Sequence, residues 1–258
     1  MAAQGAHRQH GHRTRFDWGP VGAAHTVDPE GYAVVVDVIS FTTTLSVCLD
    51  RGTEVIPFPW RDDHAAEVAR EQGAVLARGR SEGASTHHRA GGSTPSLSPA
   101  SIRDHDGPLP LLLLPSPNGS TIAHQLAGTG AVVLGAGLRN AAAVARWVLE
   151  RAGQDPVVTV VAAGERWPDG TLRPAVEDLW GAGAVVEALG PHGRSPEAEA
   201  AAAAWRGVRD DLGAQLAACA GGVELSQQGW HGDVVIAAEA EASTSVPVLC
   251  GGRFVDGT

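Results

Sequence analysis

Short, uninterrupted apolar runs, each followed by a helical pattern, constrain the fold of this chain more than any other feature. The runs predict strands at 32–38, 53–58, 74–77, 110–115, 131–135 and 156–162. A strand that is apolar on both faces needs helices on both faces of its sheet. Strands that alternate with helices favour a mainly parallel sheet with right-handed crossovers. The sequence therefore predicts an α/β fold in an α/β/α arrangement, with one or two subregions.

The predicted helices come between and after these strands. They cover 42–51, 61–72, 119–127, 139–152, 174–189, 196–206, 207–219 and 231–240. Near the end of the sequence, the apolar segment Val246–Leu249 is expected to add a final strand at the edge of the sheet.

Composition divides the chain of 258 residues into four parts. Residues 1–15 are rich in His, Arg, Gly and Gln and predict a disordered tail. Residues 16–77 form a first α/β unit and residues 110–258 a second, and we expect the two to pack as one domain. Between them, 78–109 predicts a long loop rich in Gly, Ser, Thr, Pro and His. Long loops in compact domains are often functional.

Charge and cysteine usage exclude several classes of function. The net charge of −10 argues against nucleic acid as a partner, since phosphate backbones need a basic surface. Cys48, Cys219 and Cys250 have no C-x-x-C spacing, which is typical of free thiols in a reducing cytoplasm. No apolar run reaches the length of a membrane span, so we expect a cytoplasmic protein without a membrane partner.

The segment Asp37–Thr44 carries the strongest chemical signal. Asp37 ends an apolar run, where a carboxylate without a partner is costly to bury. The hydroxyls and backbone N–H groups of the following helix start suit an anion. A carboxylate for a cation beside a pocket for an oxyanion is typical of metal-dependent phosphoryl chemistry. The alternative is a buried Asp that caps a helix.

Three further loops follow predicted strands in the same way, at Ser116–Thr121, Gly135–Asn140 and Ala163–Glu165. In a parallel sheet all of them lie at the carboxyl edge, where ligands bind. A second acidic cluster combines Glu165 with Glu177-Asp178. Together with Asp37, these carboxylates could supply oxygen ligands to Mg²⁺.

Glycines inside the predicted helix after Glu177-Asp178 point to the same region. Gly181 and Gly183 interrupt an otherwise apolar helix. Each costs about 1 kcal/mol relative to alanine. That cost indicates either close packing of the helix or a functional site.

Two motifs suggest other enzyme classes. Gly79–Gly83 matches a nucleophile elbow around Ser81, but the residues after it do not predict the helix that an elbow needs. A serine hydrolase at Ser81 is therefore a minor alternative. Gly135-Ala136-Gly137 resembles a dinucleotide fingerprint, but Asn140 stands where its last glycine belongs. The sequence accordingly argues against a nicotinamide-dependent enzyme.

In order along the chain, from Val34 to Leu249, these segments resemble the 2-phosphosulfolactate phosphatase family. The similar segments are Asp37–Thr44, Ala77–Arg80, Asn118–Ser120, Asn140-Ala141 and Ala163–Gly183. The resemblance implies an α/β/α fold and Mg²⁺-dependent hydrolysis of 2-phospho-3-sulfolactate to sulfolactate and phosphate, on the coenzyme M route. Family members commonly carry an Arg where this chain has Ser40. Loss of that guanidinium is expected to weaken recognition of a doubly anionic substrate.

From the motifs and the resemblance we assign roles at the carboxyl edge of the sheet. The predicted Mg²⁺ ligands are Asp37, Glu165, Glu177 and Asp178. The predicted catalytic residues are Asp37, Asp178 and Arg80, with Arg80 neutralising charge. The predicted substrate-binding residues are Ser40, Thr42, Thr43, Thr44, Asn118, Gly119, Ser120 and Asn140.

Several questions stay open at this point. Asp37 could be a metal ligand, a nucleophile or a general base. The expected partner is a small phosphorylated acid, and a homodimer is a candidate assembly. The competing function is a non-catalytic module that binds an anionic metabolite on the same fold.

Overall fold

The computed structural model describes residues 3–59, 64–80, 95–151, 153 and 156–258, and a sheet of nine strands forms its centre. The strands of this sheet are β1 (Thr14–Trp18), β2 (Tyr32–Val36), β3 (Glu54–Pro59), β4 (Val75–Leu76), β5 (Leu111–Ser116), β6 (Val132–Ala136), β7 (Val158–Ala162), β10 (Pro247–Cys250) and β11 (Arg253–Asp256). A separate hairpin contains β8 (Glu165–Arg166) and β9 (Leu172–Arg173).

The large sheet consists of two parallel parts joined by an antiparallel hairpin. Its strand order is β1-β7-β2-β6-β10-β11-β3-β5-β4. Strands β1, β7, β2 and β6 pair in parallel, as do β3, β5 and β4. Between them, β10 and β11 pair antiparallel with each other and with their outer neighbours. The mainly parallel α/β fold is therefore confirmed.

The expected final strand exists, but its predicted place at the edge of the sheet is wrong. β10 lies in the middle of the sheet because Val248 pairs with Leu134 of β6. On its other side, β10 pairs with β11, whose Phe254 pairs with Val55 of β3. The C-terminal hairpin thus fills a gap between two parallel parts whose described strands do not pair with each other.

Helices surround the sheet within the described residues. The helices are α1 (Ala3–Ala6), α2 (Gly19–Thr26), α3 (Phe41–Asp50), α4 (Ala65–Gln72), α5 (Pro99–Arg103), α6 (Gly119–Leu126), α7 (Ala141–Arg151), α8 (Val176–Ala188), α9 (Pro196–Arg206), α10 (Leu212–Ala218), α11 (Ala220–Gln227) and α12 (His231–Ala237). None of these helices is long and apolar enough to span a membrane.

Alternate side chains of β2 belong to different hydrophobic cores, which explains why its valines run without interruption. Val34 and Val36 pack with side chains from α7 to α12. Ala33 and Val35 pack on the opposite face, mainly with α2, α3, α5 and α6. Both faces of the strand are therefore covered, as expected for a buried parallel strand.

The N-terminal residues contribute more structure than their composition indicates. Residues 3–15, predicted as part of a disordered tail, contain α1 and the start of β1. The Gln9 side chain is buried and exchanges two hydrogen bonds with the backbone of Phe16. The hydrophobic pattern of the sequence does not predict β1 as a strand, because Thr14, Arg15 and Asp17 are mixed with its apolar residues. Pairing with β7, rather than local propensity, holds it in place.

The predicted units 16–77 and 110–258 contribute interleaved strands to the same sheet. β2 lies between β6 and β7, and β3 pairs with β5. Strands β2 and β7 pair in parallel, so their carboxyl ends lie at one edge of the sheet. Three successive antiparallel pairings, from β6 through β10 and β11 to β3, leave β5 running in the opposite direction, so the expectation that the loop after β5 shares this carboxyl edge is wrong as a statement about strand direction. The hydrogen bond from Gly119 to Asp37 nevertheless places that loop beside the end of β2.

Candidate active site

Asp37 lies at the carboxyl end of β2, where two helices begin. Its side chain is buried, and its Oδ2 accepts the N–H of Gly119 at 3.0 Å. The N–H of Phe41 also donates to this carboxylate. Gly119 and Phe41 are the first residues of α6 and α3, and helix N-termini favour negative charge. Asp37 thus has the local environment of a buried Asp at a helix start, in this case at two of them.

Gly119 is required for this approach. A Cβ atom at this position would lie 2.7 Å from Oδ2 of Asp37 and 2.5 Å from Cδ1 of Phe41. Both distances are shorter than a van der Waals contact, so any side chain there would displace the carboxylate or the ring. The glycine of the Asn-Gly sequence after β5 therefore allows the Asp37 carboxylate to occupy its position.

Asp178, in the first turn of α8, links two of the strand-end loops. Its Oδ1 accepts the N–H of Val38 at 2.7 Å, and its Oδ2 accepts the N–H of Gly164 at 2.8 Å. Gly181 lets α8 approach closely, because a Cβ there would overlap the side chains of Val36 and Val38. Close packing is thus the reason for this helical glycine.

Glu165 is joined to Asp37 through neighbouring residues. Its Oε2 accepts a hydrogen bond from Nδ2 of Asn118 at 3.0 Å, and the next residue, Gly119, donates to Asp37. Asn118 and Gly119 therefore hold two carboxylates side by side at the start of α6.

The carboxylates at this edge raise one another's pKa. Burial raises the pKa of Asp37 to about 7 and the negative charge of Glu165 adds to it, while the N–H groups of Gly119 and Phe41 and the charge of Arg80 oppose the shift. Burial, followed by the charge of Asp37, raises the pKa of Asp178 well above its ordinary value. Burial also raises the pKa of Glu165. Such mutually repelling carboxylates are typical of functional sites.

Glu177 is buried but faces a different element. A Cβ on Gly221 would overlap Oε1 of Glu177, so this carboxylate contacts the start of α11. Burial raises the pKa of the nearby Cys219 thiol to about 12, with a further contribution from the charge of Glu177. Of the four predicted Mg²⁺ ligands, Glu177 thus has contacts of its own with α11.

The hydroxyls of the predicted threonines are bonded to backbone carbonyls. The Thr42 hydroxyl donates to the carbonyl of Asp37 at 2.8 Å, and the Thr43 hydroxyl donates to the carbonyl of Val38. The Thr44 hydroxyl donates to the carbonyls of Ser40 and Leu97. Similarly, the Ser120 hydroxyl donates to the carbonyl of Leu114 at 2.8 Å. These hydroxyls bond to the backbone and shape the site from behind.

The structure does not bring Asn140 to the same place. Its side chain is fully buried in the loop after β6. Its Oδ1 accepts the N–H of Gly137 at 2.9 Å, and its Nδ2 donates to the carbonyl of Ser245 at 3.1 Å. Both polar atoms of this amide are thus bonded to the protein backbone.

A cavity of about 270 Å³ opens beside the carboxylates. The residues that line it are Ile39, Ser40, Gly79, Arg80, Leu97, Pro117, Glu165, Gly221, Glu224, Leu225 and Gln228. Of the predicted site residues, this wall includes Ser40, Arg80 and Glu165. Asp37 is not among the lining residues, but it precedes Ser40 by three positions in the same loop.

Arg80 is held at this cavity by a residue that sequence reasoning missed. Its Nε donates to Oδ2 of Asp233 at 3.0 Å, and its Nη2 donates to the carbonyl of Ile39 at 2.6 Å. Asp233 is 153 positions away in sequence and lies in the first turn of α12. An acid in a first helical turn is common, so no local signal could have identified it.

The residues present fit a metal site made by few protein ligands. Within the described ranges, no three His, Cys, Asp or Glu side chains lie where they could share one metal ion. Mg²⁺, however, is usually bound through one or two carboxylates, with water and substrate phosphate completing its shell. Asp37 and Glu165, whose charges repel each other, match that smaller donor set.

Some sequence predictions lie outside the described residues. Ser81, the centre of the elbow-like motif, is among them, so the serine hydrolase stays an untested alternative. Residues 81–94 of the predicted loop 78–109 are also outside the described residues. Its described parts, 78–80 and 95–109, contribute Gly79, Arg80 and Leu97 to the cavity.

Comparison with known proteins identifies relatives over nearly the whole chain. The sequence model of the 2-phosphosulpholactate phosphatase family matches residues 21–252. A protein of Thermus thermophilus named "Probable 2-phosphosulfolactate phosphatase" is 33% identical over 244 residues, which are 93% of this chain and 95% of the relative. A protein of Deinococcus radiodurans with the same name is 30% identical over 227 residues, 86% of this chain and 89% of the relative.

Proposed function

The chain belongs to the 2-phosphosulfolactate phosphatase family, whose members are phosphoric monoester hydrolases, and we propose that it hydrolyses a small anionic phosphate monoester in the cavity beside Arg80. The observation that carries this proposal is the meeting of a positioned guanidinium with the paired carboxylates of Asp37 and Glu165. A phosphoryl group needs a cation against its oxygens, and hydrolysis needs a group that handles water or the phosphoryl itself.

The first candidate substrate is 2-phospho-3-sulfolactate, which would give sulfolactate and phosphate. The names of both relatives support it. Ser40 lines the cavity at the position where the family pattern has an arginine. A related phosphorylated acid with one fewer anionic group is therefore the second substrate to test.

In the proposed reaction, water attacks phosphorus, the ester P–O bond breaks, and the leaving alkoxide takes up a proton. Arg80 binds the phosphoryl oxygens and neutralises charge as it develops. Asp37 and Glu165 would hold Mg²⁺, which supplies Lewis-acid polarisation of the phosphoryl group when bound. Asp178 keeps the loops after β2 and β7 together, so that Asp37 and Glu165 stay at the same place.

Release of phosphate from a panel of small phosphate esters tests this function. We expect turnover of 2-phosphosulfolactate or a related phosphorylated acid, loss of turnover in EDTA, and recovery when Mg²⁺ is added back. Turnover that is unaffected by EDTA would contradict the metal assignment alone. Thermal stabilisation by an ester that is never hydrolysed would instead support a binding module.

A further inference from the structure

We propose that Asp233 is a positioning residue that orients the guanidinium of Arg80 toward the cavity. The proposal rests on the proposed function in one respect, namely that Arg80 binds a phosphoryl group. Neither the sequence motifs nor the family resemblance pointed to Asp233.

Asp233 is itself firmly held. Its side chain is only 1% exposed. Its Oδ1 accepts the Ser98 hydroxyl at 2.5 Å and the N–H of Ala100 at 3.3 Å, both at the start of α5. Its Oδ2 is left to accept Nε of Arg80 at 3.0 Å. One oxygen therefore anchors the carboxylate while the other directs the arginine.

The bonds of Arg80 fix the plane of its guanidinium. Asp233 holds Nε, and the carbonyl of Ile39 holds Nη2. A guanidinium has five N–H donors, and these two bonds to described residues use only part of them. Because Arg80 lines the cavity, the remaining donors can meet a ligand there. Ile39 belongs to the loop of Asp37, so the guanidinium of Arg80 is hydrogen-bonded to that loop as well.

The physical benefit is preorganisation. An arginine side chain loses rotamer freedom when it binds an anion, and this loss weakens binding. Asp233 imposes that order before the ligand arrives. Its own charge is tolerated in a buried place because the ion pair and two further hydrogen bonds compensate it.

The test is Asp233→Asn, which keeps the shape and removes the charge. We expect KM for the phosphate ester to rise about tenfold or more while kcat changes less, since about 1.4 kcal/mol of binding free energy is a factor of ten. The affinity for inorganic phosphate, measured by calorimetry, should fall by a similar factor. The matched control is Asp50→Asn, which removes an acceptor from the buried Arg139 at the next loop. This control should lose stability without a change in KM.

A double-mutant cycle separates positioning from a general structural effect. In an Arg80→Ala background, Asp233→Asn should have little further effect on phosphate affinity. Equal effects with and without Arg80 would overturn the proposal, as would unchanged KM and phosphate affinity in folded Asp233→Asn. If that variant does not fold, Ser98→Ala, which removes one bond to Asp233, should raise KM by a smaller factor, and an unchanged KM there would also overturn the proposal.

The two proposals fail in different ways. A wild-type protein that binds phosphate but hydrolyses no ester would refute the proposed function, and phosphate affinity would still test Asp233. A wild-type protein that hydrolyses esters with equal KM in both forms of residue 233 would refute only the positioning role. Wild-type protein that neither hydrolyses esters nor binds phosphate would refute both.

Discussion

Two neighbouring loops of the sheet have the same backbone plan and different uses. β2 and β6 pair in parallel with Val36 opposite Ala136, and each is followed by four loop residues and a helix. Residues 37–40 lead into α3, and residues 137–140 lead into α7. The first loop lies at the cavity, whereas the polar side chains of the second loop are buried and hydrogen-bonded to other parts of the protein.

The second loop directs its polar side chains inward. Arg139 is buried and bonds to Asp50 and Ser46 at 3.0 Å each, and to Glu239. Asn140 is bonded to the backbone on both sides of its amide. Every one of these bonds ends on another part of the chain.

The first loop leaves polar groups at the cavity. The arginine beside it, Arg80, is held by Asp233 among the described residues and lines the cavity. Ser40, the counterpart of Asn140, lines the cavity and makes no capping hydrogen bond with its side chain. A helix start after a strand can therefore bind a ligand only where its polar groups are not already hydrogen-bonded to other parts of the protein.

Asp37→Asn should give the largest effect and so tests the comparison most directly. We expect kcat/KM to fall on the order of 10³-fold or more, because a charge at the reacting centre is lost. In the second loop, Asn140→Ala should leave kcat/KM nearly unchanged and lower the free energy of unfolding by about 1–3 kcal/mol. Steady-state kinetics and chemical denaturation measure the two effects. Full activity of Asp37→Asn would refute the role of that carboxylate.

Alanine substitutions of Gly119 and Gly137 provide the next comparison between the two regions. Gly119→Ala would place a Cβ 2.7 Å from Oδ2 of Asp37. Gly137→Ala would place one 3.3 Å from Oγ1 of Thr42, a contact that a small shift relieves. We expect Gly119→Ala to lower kcat/KM by about 10–100-fold, since displacement of a catalytic group by about 1 Å has that cost. Gly137→Ala should change it by less than about threefold. Equal losses in the two variants would contradict the asymmetry between the loops.

The raised pKa of Asp37 predicts a pH dependence of stability. Its pKa is raised by burial from 3.8 to about 7, so the folded protein holds a proton that the unfolded chain releases. Stability from this group is present below its ordinary pKa and is lost as pH rises toward 7. The melting temperature of Asp37→Asn relative to wild type should therefore increase between about pH 5 and about pH 8, by the equivalent of about 2 kcal/mol. Asn140→Ala serves as the control, and a constant difference for Asp37→Asn would contradict the pKa shift.

Ser40→Ala should give the smallest effect. Because the Ser40 side chain makes no capping bond, we expect the free energy of unfolding to change by less than about 0.5 kcal/mol. KM should rise about two- to threefold if the hydroxyl meets the substrate. Thermal unfolding and steady-state kinetics measure both quantities. A large loss of stability would mean that Ser40 has the structural role of Asn140.

The sequence was sufficient to predict the convergence of Asp37, Glu165 and Asp178. Each follows, or packs against, the end of a buried parallel strand, and parallel strands end at one edge. The sequence could not distinguish the roles of Asn118 and Asn140, because both residues stand at the start of a helix that follows a strand. Their tertiary contacts distinguish them, because Asn118 donates to Glu165 and Asn140 donates to the carbonyl of Ser245.

The parts that sequence reasoning missed depend on distant pairing. Asp233 acts on Arg80 across 153 positions, and nothing near either residue signals it. β1 and β11 carry charged residues, and their partners β7 and β3 determine that they are strands. Local sequence patterns thus predict buried apolar strands and helices well. They predict poorly the strands and contacts that depend on partners far away in sequence.

The placement of the β10–β11 hairpin also has a consequence for the order of folding. These strands follow all others along the chain, yet they supply the seam between β6 and β3. Until this hairpin pairs, β6 and β3 each have one edge that lacks its strand partner in the sheet. Contacts between residues far apart in sequence form slowly. We therefore expect the hairpin to complete the sheet late in folding, and chains in which it is unpaired to carry open strand edges that invite aggregation.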